Sequence, residues 1–253
     1  MTFAVDGLTV EVHEDADALG DRAATLFADA IRDVVREHGE ARVLMSTGNA
    51  QLPFVRALAR VDVPWSAVTI FQITEYVGLP PGHPAASDTW IQTHIVEPFR
   101  PGIVHRLRGD VASPLAEAAR YELLLREDPI DLAVLGIGEN GHMGVNEPHS
   151  AWFEDPRWVR VLALAEASRQ QEVGEGHFAS IDDVPARAIS VTVPGLLAGH
   201  RLIVNVPERR KAAAIAATLS APVGPAVPAT ALRTHHDAIL LLEPESSTAP
   251  SPD

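Results

Sequence analysis

The sequence predicts a doubly wound α/β domain built on a mainly parallel central sheet. Segments with the apolar repeat of a helix alternate along the chain with short apolar runs of strand length. Several of those runs, among them 132–135 (LAVL) and 238–242 (AILLL), are continuous rather than alternating, as strands covered on both faces are. Strands also run into short polar loops after Met45, Ile73 and Leu135, and loops at strand C-termini are where an open α/β sheet holds its ligand.

Taken in order, the first strand is expected at 8–12. A helix follows, capped by Asp15 or Asp17 and running to about His38. Its apolar positions, including Leu19, Ala23, Phe27, Ile31 and Val34, recur at helical spacing, and Gly39 ends it. Residues 42–45 make the next strand, and a helix runs from near Ala50 to about Arg60. The strand at 68–73 leads into 74–84, where prolines and glycines disfavour regular structure. Ser87 or Asp88 caps a helix over 89–97, and a short strand occupies 103–107. Ser113 and Pro114 open a helix to about Arg126, proline being favoured at the first helical position. The strand at 130–135 then breaks into a loop with Gly136, Gly138, Gly141 and Gly144. Beyond Pro148 the expectation is a strand at 158–165 and an aperiodic segment at 166–183, a candidate lid. Strands at 188–193, 201–206 and 238–242 and helices at 194–198 and 208–219 complete the chain. Residues 1–245 read as one domain and 246–253 as a disordered polar tail.

Composition excludes several functions. At 46 % apolar the 253 residues can bury a sizeable core, and with 5 % aromatics that core is mostly Ala, Val, Leu and Ile. A net charge of −14 argues against a nucleic-acid backbone, which needs clustered cations, though not against an anionic small molecule at a local positive site. Without cysteine there is no disulfide framework, thiolate nucleophile or cysteine metal site. No apolar run approaches the roughly 18 residues of a membrane helix. The N-terminus lacks a basic stretch before an apolar one, so a soluble cytoplasmic protein is expected.

The loop after Leu135 carries Asn140, His142 and Glu147. A carboxylate that accepts from one imidazole nitrogen fixes the tautomer and raises the basicity of the other nitrogen. That suits proton transfer at a sugar ring oxygen or activation of a water; a loop histidine satisfied by backbone groups is the plainer account. No second ligand stands at metal spacing on a regular element, so no metal is called for, and no cofactor is implied. Thr74 and Glu75 follow a buried strand, and because successive strand residues point to opposite faces, one of them enters the cleft. Either can equally serve a cap or turn. Thr47, Gly48 and Asn49 can cradle a phosphate or a sugar hydroxyl, but they form neither nucleotide-binding glycine motif. Lys211, after Arg209 and Arg210, stands near a helix start, where the macrodipole disfavours cations. A recruited anion explains it; so does a solvated face.

The chain resembles the glucosamine-6-phosphate deaminase/isomerase family, which shares a fold with 6-phosphogluconolactonase. The resemblance spans about 43–243 and rests on Glu75-Tyr76-Val77-Gly78-Leu79-Pro80 and on Gly136-Ile137-Gly138-Glu139-Asn140-Gly141-His142 with Asn146-Glu147-Pro148. It implies a Rossmann-like α/β sandwich, a sugar or sugar-phosphate substrate, no cofactor and a homo-oligomer. It also implies roles. In the family a histidine held by an Asp and a Glu assists ring opening. The first Asp of a D-E-Y-V-G-L motif moves a proton between carbons 1 and 2. Loop amides, a lid Arg and a Lys near a helix start hold the phosphate.

Here His142 and Glu147 match the ring-opening pair, and Gly138 lies in the same loop. Thr47, Gly48, Asn49 and Lys211 match part of the phosphate site. Thr74 stands where the carbon-proton base belongs, with Glu75 beside it as a substitute, and Asn140 stands where the histidine's Asp belongs. The lid arginine falls near Gly174, with Arg169 close by. One positioned acid–base group is worth about 10²–10⁴ in rate, so efficient deamination by the family route is not expected. The resemblance therefore implies an isomerase/deaminase-like enzyme with altered catalytic residues, acting on a sugar or sugar phosphate. Lactone hydrolysis and non-catalytic sugar binding are the alternatives.

Overall fold

The computed structural model describes residues 1–247. A hairpin, β1 (Thr2–Val5) and β2 (Leu8–Val12), precedes α1 (Ala16–His38). Asp15 caps this helix by accepting from the Ala18 amide at 2.8 Å, and Gly39 ends it in the left-handed region at φ 87°. Next come β3 (Ala41–Met45), α2 (Leu52–Leu58), β4 (Val68–Gln72), β5 (Thr74–Tyr76) and α3 (Ser87–Ile91). The last continues through a π-helical turn into α4 (Glu97–Phe99). Then follow β6 (Ile103–His105), α5 (Pro114–Arg126), β7 (Ile130–Leu135), β8 (Val159–Ala163) and α6 (Glu166–Gly174). The chain ends with β9 (Arg187–Val191), α7 (Val193–Leu196), β10 (Gly199–Val206), α8 (Ala212–Ser220), β11 (Ala238–Leu242) and α9 (Pro244–Ser247).

An eight-stranded sheet in the order β1-β2-β11-β10-β7-β3-β4-β6 runs through the centre. Only its β1–β2 pair is antiparallel. Consecutive residues of its inner strands divide between two cores. Val43, Ile70, Val134 and Ile203 pack with α1 and α2; Leu44, Phe71, Leu135 and Val204 pack on the opposite side with Tyr121 of α5 and Ile215 of α8. Burial on both faces is why these strands read as unbroken apolar runs, and it bears out the predicted fold class.

The structure departs from expectation in four places. The stretch after Ile73 is not irregular: Thr74–Tyr76 pairs with β9, which pairs with β8, in a second, antiparallel sheet in the order β5-β9-β8. The segment at 166–183 is largely ordered by α6 and a 3₁₀ turn with a Ser180–Asp183 capping box. Residues 2–5, unassigned from sequence, form a strand. The tail does not begin at 246, because Ser246 is fully buried in α9 and its hydroxyl accepts from the Glu243 amide; residues 248–253 lie outside the described residues. Among the described residues no helix is long and apolar enough to cross a membrane.

Gly20 lets α1 close onto α2, since a Cβ there would lie 2.5 Å from the Pro53 carbonyl carbon and oxygen. Gly20→Ala is expected to destabilise the chain by about 1–3 kcal/mol through overpacking, despite alanine's better helix propensity. Urea unfolding measures this, and an unchanged midpoint would contradict the packing argument.

Candidate active site

A cleft of about 310 Å³ opens at the C-terminal ends of β3, β4 and β7. Its position follows from chain order. From β3 the sheet grows outward through β4 and β6; the chain then returns to the other side of β3 and grows through β7, β10 and β11. The loops leaving β3 and β7 therefore diverge and leave a crevice between them. Gln51, fully buried, braces this point: its amide donates to the Leu135 carbonyl at 3.1 Å and accepts from Asn205 of β10 at 2.8 Å.

His142 lines the cleft from the loop after β7. That loop reads G-x-G-x-x-G from Gly136 to Gly141, yet it leads into turns and not a helix, so the dinucleotide-binding arrangement is absent. The His142 ring lies directly against Gly138, where a Cβ would come within 2.0 Å of the imidazole Cε1. His142 Nδ1 is 2.9 Å from Asn140 Oδ1, and Asn140 Nδ2 donates to Glu147 Oε2 at 2.7 Å. The carboxylate accepts only, so it pins the amide with its NH₂ toward Glu147 and its carbonyl toward the imidazole. Nδ1 must then carry the ring proton and donate it to Asn140, which leaves Nε2 as the basic nitrogen. Ser168 Oγ, 3.1 Å from Nδ1, adds a second acceptor there. Burial pushes the His142 pKa below its ordinary value; nearby Glu147 opposes this and Lys211 reinforces it. The imidazole is neutral near pH 7.

Strand alternation separates Thr74 from Glu75. The Thr74 hydroxyl stands 3.4 Å from Ser87 Oγ, to which Thr47 also donates at 3.3 Å, so the three hydroxyls line one cleft wall. Glu75, expected as a substitute base, is committed elsewhere. Its carboxylate accepts from the amides of Tyr76, Ser87 and Asp88 and from the Gln72 side chain, at 2.8–3.2 Å. It thus caps the start of α3 from a distance. Burial raises its pKa, against these hydrogen bonds.

The expected anion-holding residues are brought together only in part. Thr47, Gly48, Asn49 and Lys211 line the cleft; Arg169 does not, because its guanidinium donates to the Ile181 carbonyl at 2.5 Å and braces the 3₁₀ turn. Lys211, 3 % exposed, is already paired: its Nζ lies 3.2 Å from Glu175 Oε1. Glu172, also in the cleft, binds His177 Nδ1 at 2.7 Å. Burial is the largest single influence and opposes its ionisation, but the hydrogen bond and charge of His177 and the Tyr76 hydroxyl together hold its pKa below the usual range. Ser168, Gln171, Glu172 and Glu175 all line the cleft, and sequence reasoning missed them. Their i, i+3, i+4, i+7 spacing is a helical face, visible in the sequence as a polar stripe to a search not confined to apolar periodicity. His235 is structural: it bridges the Gly199 carbonyl and the Asp237 amide. Among the described residues no group of three or more His, Cys, Asp or Glu is placed to hold a metal.

The sequence and fold have relatives among known proteins. A family profile described as glucosamine-6-phosphate isomerases/6-phosphogluconolactonase matches residues 14–241. A glucosamine-6-phosphate deaminase of Streptococcus equi subsp. zooepidemicus is 33 % identical over 208 residues, 81 % of this chain and 86 % of that one. One from Streptococcus pneumoniae serotype 4 is 32 % identical over 212 residues, 83 % and 88 % of the two chains. Among solved structures, a monomeric glucosamine-6-phosphate deaminase superposes with a TM-score of 0.86 at 27 % identity, over 94 % of this chain and 98 % of that one. The 6-phosphogluconolactonase of Shewanella baltica, at a TM-score of 0.76 and 16 % identity over 92 % and 96 %, shares the fold.

If Glu75 caps α3, Glu75→Ala leaves three amides without their acceptor in a buried site. A loss of about 3 kcal/mol or more is expected in denaturant unfolding. A stability change under 1 kcal/mol would return Glu75 to the list of free carboxylates.

Proposed function

We propose that this chain, which belongs to the family of glucosamine-6-phosphate isomerases and 6-phosphogluconolactonases, is an enzyme of carbohydrate metabolism in which His142 carries the proton that opens a sugar ring. The observation behind this reading is the Glu147–Asn140–His142 chain, which presents a neutral imidazole with Nε2 as its base. In the proposed step Nε2 takes the proton of the anomeric hydroxyl. The electron pair left on that oxygen forms the carbonyl as the bond from the anomeric carbon to the ring oxygen breaks, and the proton passes from His142 to the ring oxygen. Positioned proton transfer of this kind is worth about 10²–10⁴ in rate.

The isomerase half of the family reaction is less well provided for. Moving a proton between adjacent carbons needs a base, and a Thr74 hydroxyl is none near neutral pH. Glu75 is held by its four donors. The substrate is accordingly a sugar or sugar phosphate handled with altered chemistry, and deamination of glucosamine 6-phosphate is slow. A lactone, whose hydrolysis requires a base for water and none for a carbon-bound proton, is the second reading; Thr74 counts less against it.

Exchange between sugar anomers, followed by magnetisation transfer in NMR, tests the step. His142→Ala should abolish the enzyme-catalysed exchange; exchange at the wild-type rate in that variant refutes the assignment. The active form is the neutral imidazole, and its pKa is lowered, so kcat/KM should fall on the acid side with a midpoint below that of an ordinary histidine. Asn140→Asp places a negative charge at Nδ1, stabilises the imidazolium and should move that acid limb upward by about 1 unit or more. A limb that stays in place would mean that residue 140 does not touch the titrating group.

A further inference from the structure

We infer that Glu175 fills, from within the chain, the position an anionic substituent would take on Lys211, so that the sugar handled here is unphosphorylated at the end reaching Lys211. This rests on the reading of the cleft as a sugar site and selects between the two substrate classes that reading allows. Lys211 and Glu175 both line the cleft beside Thr47, Gly48 and Asn49. Their side chains are 4 % and 7 % exposed, so the pair is almost free of solvent. Glu175 is also held in place: Gln171 Nε2 donates to the same Oε1 at 2.9 Å, and Asn49 Nδ2 donates to the Glu175 carbonyl at 3.4 Å.

A phosphate drawn to Lys211 would meet the Glu175 carboxylate at close range in a poorly screened site, with ionised Glu172 in the same cleft. Like charges at such distances repel strongly where the local dielectric is low. The carboxylate has little route out, given its burial and its bonds to Lys211 and Gln171. The other nearby cations do not redress the balance: His177, also in the cleft, is taken up by Glu172 at 2.7 Å. Arg169 is turned to the Ile181 carbonyl, and Arg210 lies 2.5 Å from Glu208 but 3.9 Å from Glu175. A sugar hydroxyl suits the pair as it stands, accepting from the ammonium and donating to the carboxylate without displacing a charge.

Calorimetry on the full chain with glucosamine and glucosamine 6-phosphate, and with glucose and glucose 6-phosphate, reads the inference as a ratio of affinities. In the wild type the phosphorylated sugar of each pair should bind no tighter than its parent. In Glu175→Gln, which keeps the shape and removes the charge, the ratio should shift about 100-fold toward the phosphorylated form. A wild-type chain that prefers the phosphorylated sugar tenfold overturns the inference, as does an unchanged ratio in Glu175→Gln. Should that variant not fold, competition decides in the native chain: inorganic phosphate that displaces bound sugar refutes the inference, and phosphate without effect sustains it. If the wild type binds no sugar, inorganic phosphate serves alone: binding gained only in Glu175→Gln supports a filled site, and no gain refutes it. None of these readouts depends on turnover, so a failure of ring opening in the anomer-exchange assay remains separate from a failure here.

Discussion

Glu147 is the fixed point of the cleft. Its side chain is 1 % exposed, and each oxygen holds a different part of the site. Oε2 anchors the Asn140 amide that orients His142, and Oε1 accepts from the amide of Ala165, the residue that opens α6. A single carboxylate thereby sets the tautomer of the candidate base and the place where the opposite wall begins. The loop that carries it is tied down in turn. Asn146 donates to the Met143 and Val191 carbonyls, and the Val145 amide donates to Ser190, so the position of Glu147 follows the second sheet. Buried charge is tolerated only when its lone pairs are met by donors, and here those donors are the site itself.

The parallel sheet was legible because its cause is local. A strand covered on both faces must be apolar at every position, and a helix lying on it must repeat its apolar residues, so both signals stand in short windows. The antiparallel sheet was legible only in part: strands were expected where β8 and β9 lie, but not at β5, for the converse reason. Thr74–Tyr76 has no local strand signal among its turn-forming neighbours; it is a strand because Arg187–Val191 lies alongside it, more than a hundred positions later. The same distinction runs through the site. His142, Asn140 and Glu147 lie within one loop and were found together. Lys211 was found as a cation in an unfavourable place, which is a local anomaly, but its partner Glu175 is 36 residues away and no property of Lys211 alone points to it. Arg169 shows the opposite error: proximity in sequence suggested a role in the cleft, and the direction of a helical side chain denies it.

Charge is unevenly distributed around the cleft. Asn140 and Thr74 put neutral groups beside the imidazole and on the β5 wall, while Glu172 of α6 and Glu175 at its C-cap put carboxylates into the cleft. The helix that faces His142 is the acidic side of the cleft, with His177 and Lys211 as its counter-charges. The carboxylate beside Lys211 weakens the site's hold on an anion while preserving its hydrogen-bonding capacity. Hydrogen bonds to fixed hydroxyls and amides discriminate sugars by the geometry of their OH groups, for which net charge is no substitute.

If His142 carries a proton as proposed, an amide at position 140 also sets what kind of carrier it is. An aspartate at Nδ1 would stabilise the imidazolium and let the proton rest on the ring. Asn140 offers the same hydrogen bond, and so the same orientation, without the charge. The nearest full charge is then Glu147, 3.6 Å from Nδ1 and already shared with Asn140 and Ala165. The imidazolium becomes costly while the neutral ring stays well placed, so a proton taken at Nε2 is returned quickly. That suits a step in which the proton leaves one oxygen of a sugar and arrives at another nearby, and it suits poorly a sequence that holds the proton while a second group works on carbon. The absence of a base at Thr74 points the same way. Retained orientation with withdrawn charge is what a site specialised for the oxygen-to-oxygen half of the chemistry requires.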